Sequence, residues 1–220
     1  MVMVTSKKFH TYLILLMISG ILSTLGSFSF VTQINKVPHQ FEWLEFLSFL
    51  SSVLTLIVVS KLRKVNGSFL KAFICNIYVI ILIVIEAILI FFSFNLAVES
   101  VCEGIDFTIS LIGFVLDLYI INGIRDCYSQ EDEKNRKVFK IYIWIILAFF
   151  LTSAVMETIA GMDFFVKNYF VSTIAKLTSV LFEVALPIVL TICYSRAAKM
   201  SSIALKAKKE EEGEIQNEQK

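Results

Sequence analysis

The chain has 220 residues, 57% of them hydrophobic and 18% charged, with 20 phenylalanines and a formal net charge of +1. Soluble domains average about 45–50% apolar residues, so this chain carries more apolar surface than a water-soluble fold can cover. The near-zero net charge leaves no basic excess to neutralise phosphates, and no nucleic-acid partner is expected.

The apolar residues fall in blocks, and a helix that crosses a bilayer needs about 20 of them in succession. The first block covers 12–34, behind the basic pair Lys7 and Lys8. A cleaved leader has an apolar core of about 7–15 residues; this run continues through Phe28, Phe30 and Val31, so it reads as a span. Ser19, Ser23 and Ser27 recur at helical spacing, with Gly20 and Thr24 beside them. Small side chains in that pattern let another helix approach closely.

The second block, 41–59, follows a polar link with Pro38 and opens on Glu42, Trp43 and Glu45. An aromatic at headgroup depth and acids at a helix start suit a membrane boundary. The block ends at Lys61, Arg63 and Lys64, before an Asn66-Gly67-Ser68 turn.

The third block, 69–98, carries Asn76, Tyr78, Glu86 and Asn95 and is long enough to tilt. An acidic link from Glu99 to Asp106, with Cys102, leads into the fourth block, 107–124, which Asp117 interrupts. Arg125 to Lys140 is densely charged and reads as a solvated loop or short helix. The fifth block, 138–160, holds Tyr142, Trp144 and Glu157, and the sixth, 170–195, holds Glu183 and Pro187.

The expected fold is therefore all-α, a polytopic membrane bundle of about six transmembrane helices occupying residues 1–195 as one domain. Residues 196–220 are polar, with alternating basic and acidic runs, and are expected to hold little fixed structure. Segments kept in the cytoplasm carry excess Lys and Arg. Lys7, Lys8, Lys61, Arg63, Lys64, Lys71, the 125–140 group, Arg196 and Lys199 all fall on one side of a six-pass arrangement, against Lys36, Lys167 and Lys176 on the other. Both termini are expected to be cytoplasmic, and the Asn66 sequon to stay unmodified.

Candidate chemistry rests on the acids inside the spans. Glu86, Asp117 and Glu183 lie within apolar runs that contain no deep Lys, Arg or His. A carboxylate at mid-membrane costs about 2.5–3.5 kcal/mol on insertion scales. Such acids either form a proton or cation pathway, with Asn76, Tyr119, Asn122 and Tyr194 as hydrogen-bonding neighbours, or hydrogen-bond across helices and fix the packing. Pro187 removes the bond to the carbonyl four residues back, that of Glu183. Broken helices at mid-depth are a way of building ion sites.

Cys127 and Cys193 lie at the basic ends of their blocks, where either reversible palmitoylation or plain packing is expected. Each begins a Cys-Tyr-Ser triplet ten residues after an acid, Asp117 and Glu183, a spacing compatible with a duplicated hairpin. Phosphate loops, paired-cysteine metal spacing and nucleophile elbows are absent from the sequence, so neither an enzyme nor a cofactor is expected.

Short links, polar residues within the helices and Cys-Tyr near a basic boundary are similar to features of small tetraspanning trafficking proteins such as the MARVEL and LAPTM groups. The six blocks and the lack of a Pro-Tyr motif in the tail depart from those groups. The expected function is a non-enzymatic membrane-organising or trafficking role, with the lipid bilayer, copies of itself or other membrane proteins as partners. A small proton- or cation-linked transporter or channel is the alternative, and a receptor a weaker one.

Overall fold

The computed structural model describes residues 6–34, 42–92, 96–128, 132–161 and 169–218, and the described chain forms six helices with no strand among them. These are α1 (Lys7–Ile34), α2 (Glu42–Leu62), α3 (Gly67–Phe92), α4 (Leu96–Cys127), α5 (Glu133–Gly161) and α6 (Tyr169–Glu218). Five contain stretches long and apolar enough to cross a membrane; the apolar part of the other, Phe46–Leu62 in α2, is shorter. The chain is a multi-pass membrane protein.

Each helix packs against its neighbours in sequence, and α6 closes the ring by packing along α1, with only slight contact between α4 and α6. Short connections force this antiparallel order, because a helix can leave its predecessor only by crossing the membrane again. Where α1 meets α6, Gly20 is so close to Thr191 that a Cβ there would lie 2.5 Å from the Thr191 hydroxyl. Where α3 meets α4, a Cβ on Gly123 would lie 2.8 Å from the Phe69 ring. Both glycines set the distance between helices.

The packed core sits toward the end of the bundle that carries the cations, here called the basic end. Phe9, Leu13 and Leu16 of α1, Val58, Val59 and Leu62 of α2, Phe69 of α3, Ile120, Ile121 and Ile124 of α4 and Phe139 of α5 are all essentially inaccessible. Phe114 stacks on Phe150 at 4.0 Å, and Tyr128 on Phe139 at 5.4 Å, joining α4 to α5. The outward faces are apolar instead, as with Ile77, Ile81, Val84 and Ile88 of α3, in keeping with contact to acyl chains.

Three boundaries differ from the sequence reading. The third predicted span ran to 98, but the chain has entered α4 by Leu96, and the predicted acidic link 99–106 is part of that helix. Most of the charged 125–140 stretch is also helical: the Asp132 carboxylate accepts from the Asn135 backbone N–H at 3.4 Å, capping α5, and Glu133 pairs with Lys137 at 2.9 Å. The tail expected to be unstructured continues α6 to Glu218. Alanine, lysine and glutamate are strong helix formers, and Lys208 and Glu212 add a pair one turn apart at 3.6 Å. Pro38, Asn95, Asp163 and Lys167 lie outside the described residues, as do the side chains of Glu42, Trp43 and Glu45.

Candidate functional site

Three inward stripes carry polar residues. On α3 the buried residues Phe69, Ala72, Asn76 and Val79 follow helical spacing, so Asn76 faces the interior. On α4 the stripe is Phe114, Asp117, Ile121 and Ile124, in which Asp117 is partly buried and the others are buried. On α6 it is Pro187, Leu190, Tyr194, Ala198 and Ser201, all buried.

Two contacts fix how α3 and α4 align. The Asn66 amide Nδ2 donates to the Gly123 carbonyl at 2.9 Å, and the Lys71 ammonium lies 5.5 Å from the centre of the Tyr119 ring. Following both helices from there brings Asn76 level with Phe114, and Asp117 about 4.5 Å nearer the basic end, at 1.5 Å per residue. Asp117 is also within electrostatic reach of Cys193 and Tyr194, so the α6 stripe converges on the same depth. Among the described residues Asp117 has no ion-pair partner.

Asn76 is fully inaccessible, yet neither its Nδ2 nor its Oδ1 has a hydrogen-bond partner among the described residues. An amide moved from water to an apolar medium without compensation costs about 1–3 kcal/mol by protein mutational data and more on alkane scales. Buried polar groups are otherwise nearly always paired. Asn76 is thus a fully buried amide with both polar atoms unpaired among the described residues, about one helical turn in depth from Asp117.

The hydroxyls elsewhere behave differently. Ser19 of α1 lies 2.9 Å from the Ser51 hydroxyl, 3.0 Å from the Ser51 carbonyl oxygen and 2.6 Å from the Thr55 hydroxyl, while Ser51 donates back to the Ser19 carbonyl at 2.9 Å. Ser153 of α5 and Ser179 of α6 meet more loosely, at 3.2 Å. The small-residue face of α1 therefore serves two neighbours, α2 through Ser19 and α6 through Gly20.

The other candidates do not gather around Asp117. Glu86 acts electrostatically on Cys102 together with Asp106, which puts it at the opposite end of the α3–α4 hairpin. The side chain of Glu183 lies outside the described residues. Pro187 is buried in a helix that runs through it, so the broken helix considered from the sequence does not form; the Thr191 hydroxyl donates to the Pro187 carbonyl at 2.8 Å. Tyr119 holds Lys71, and Asn122 keeps a buried, unpartnered Oδ1.

Cys193 is fully buried, so acylation there would require this part of the bundle to open; Cys127 is half-buried and receives a weak 3.8 Å contact from Asn66. The two Cys-Tyr pairs also sit differently, since Tyr128 follows the end of α4 and Tyr194 lies within α6. Among the described residues no group of three or more His, Cys, Asp or Glu side chains is arranged to hold a metal.

One structural residue carried more than the sequence indicated. Asn66 was legible as a turn, but its Oδ1 also accepts from the Phe69 backbone N–H at 3.0 Å, capping α3, while its Nδ2 ties the cap to α4. An asparagine three residues before the first buried aromatic was the available signal. Comparison of the chain with protein-family models, with curated proteins and with solved structures finds no match in any of the three.

Proposed function

We propose that the protein is a non-enzymatic membrane-organising or trafficking protein, with both termini in the cytoplasm, that acts through its helix faces and the charged segments of its basic end. The observation that carries this reading is the unbroken passage of α6 from the bundle into a charged arm. Beyond Leu205 the helix runs on to Glu218, about 20 Å at 1.5 Å per residue. Lys206 to Glu210 and Glu212 are all exposed along it. A helix with charge on every side is not held by burial against its own bundle, which suits it to contact with partners. The separation of Glu86 from Asp117 further favours this role over a pathway built from several gathered carboxyls.

The test is a truncation after Leu205, which leaves the buried Ser201 and the core-packed Ala204 in place, assayed in native nanodiscs excised from cells. The full chain is expected in assemblies larger than one copy, and the truncated chain, with an unchanged melting temperature and helix lost only over 206–218, in smaller ones. Identical assemblies from the two chains would remove the arm from the function. Proton or cation flux into proteoliposomes that vanishes in Asp117→Asn would replace the organising role with a carrier.

A further inference from the structure

The acids of the basic end are engaged within the bundle, and its cations outnumber them. Among the described residues Asp126 pairs with Arg125 at 3.0 Å and accepts from the Ser68 hydroxyl at 3.3 Å, Asp132 accepts from the Asn135 amide at 2.7 Å, and Glu133 pairs with Lys137 at 2.9 Å. Arg63 and Lys71 have no carboxylate within ion-pair distance among those residues. Aromatic rings hold them instead: the Arg63 guanidinium lies 4.8 Å from the centre of the Phe73 ring, and the Lys71 ammonium 5.5 Å from that of Tyr119. A ring face positions a cation without cancelling its charge.

Both rings keep the charge on the bilayer side of the α2–α3 turn. Arg63 stands in that turn, whereas Phe73 lies six residues beyond Gly67, about 9 Å along α3 at 1.5 Å per residue, so the guanidinium reaches inward from the turn. A lysine near a helix end ordinarily extends to water; Lys71 turns to Tyr119 on α4 instead. Between the two cations runs the outward stripe of α3, on which Leu70, Ile74, Ile77 and Ile81 are exposed at three- and four-residue spacing. Arg63 flanks it from the α2 side and Lys71 from the α4 side. A Cβ on Gly67, at the basic end of the stripe, would meet nothing within 4 Å, so the surface is open there.

We propose that Arg63 and Lys71 bind the headgroup of one anionic phospholipid, whose acyl chains lie along Leu70, Ile74, Ile77 and Ile81. Charge complementarity selects an anionic over a zwitterionic headgroup, because two cations without a counter-ion attract net negative charge and a choline would add a third cation beside them. The apolar stripe selects a lipid over free phosphate, since only a lipid covers it. Both cations lie outside the arm at 206–218, so the site and the organising role proposed above stand or fall separately.

The experiment equilibrates the full chain in nanodiscs of equal parts phosphatidylglycerol and phosphatidylcholine with matched acyl chains, releases it, and counts the retained lipid by native mass spectrometry. One phosphatidylglycerol per chain is expected, preferred over phosphatidylcholine by about ten-fold. Arg63→Gln and Lys71→Gln are each expected to lower that preference about three- to five-fold, and the double variant to bring it near parity. Lys134→Gln, an exposed cation on α5, is expected to leave it within about two-fold. Leu70→Glu, at an exposed position on the stripe, sets a negative charge between the cations while keeping both, and is expected to abolish the preference; it decides the matter where a glutamine variant does not fold. Equal retention of the two lipids by the parent overturns the proposal, as does a parent-like preference in the folded double variant or in folded Leu70→Glu. A loss in Lys134→Gln as large as that in Lys71→Gln overturns it in favour of diffuse attraction to the whole basic end, and displacement of the lipid by inorganic phosphate at comparable concentration overturns it in favour of a soluble anion.

Discussion

Two polar clusters share the middle of this bundle and have opposite characters. The Ser19, Ser51 and Thr55 hydroxyls bond to one another and to the facing backbone within 3.0 Å, whereas the Asn76 amide has no partner among the described residues. The difference lies in side-chain length and helix count. A serine hydroxyl sits close enough to its own backbone to bond a neighbouring helix that is already in contact, so two helices satisfy the group between them. The longer Asn76 side chain stands away from its own backbone, and none of the described residues offers its amide a hydrogen-bond partner. The first joins two helices; the second leaves a buried amide unpaired.

Substitutions that break or sharpen this contrast have effects of different size. The largest is expected from Gly20→Val, which places methyls where Thr191 stands and separates α6 from the face of α1 that also carries Ser19. Overpacking of this kind costs about 1–3 kcal/mol, and with the Thr191 backbone itself only 3.2 Å from a Cβ at this position, the upper part of that range is expected. It reads out as a lower melting temperature and, if the ring opens, as faster labelling of Cys193.

Asn76→Leu comes next and has the opposite sign. Removing an unpartnered amide for a side chain of similar size is expected to stabilise the bundle by about 1–2 kcal/mol, since the desolvation cost disappears with the group. A loss of stability of that size would show that Asn76 is bonded after all. Ser19→Ala is expected to destabilise by about 0.6–2 kcal/mol, the range for hydrogen bonds between membrane helices, measured as a shift in the denaturant midpoint. Ser153→Ala, which removes a longer 3.2 Å contact, should fall at or below the low end of that range. Smallest is Lys208→Ala in the arm, where an exposed pair with Glu212 is worth about 0.3–0.5 kcal/mol; circular dichroism at low and high salt is the measurement.

Much of the fold was legible because lipid imposes a simple rule: a segment crossing it must satisfy its backbone internally, so apolar blocks of sufficient length are helices. The glycine and serines of α1 could be read as a contact face on the same logic. The ends of the blocks were less legible. The stretch Glu99 to Asp106 is polar enough to read as a link, yet polar residues sit on helices as readily as in loops, and nothing local marks where a helix leaves the bilayer. The tail misled for a similar reason. Low hydrophobicity argues against a packed core, but the 50-residue α6 needs no new nucleus there, because the membrane helix has already supplied one.

For the candidate site, the acids could be picked out in the sequence but their grouping could not. Glu86 and Asp117 look alike as acids within apolar runs, and only the antiparallel alignment set by Asn66 on Gly123 separates them, one toward Cys102 and the other toward Tyr194. Composition and block length alone determined that this chain is a helical membrane protein with its cations gathered at one end, because those properties follow from transfer energies summed residue by residue. Which polar groups are satisfied was decided only in the tertiary structure, because a hydrogen bond depends on the register of two helices that the sequence encodes far apart.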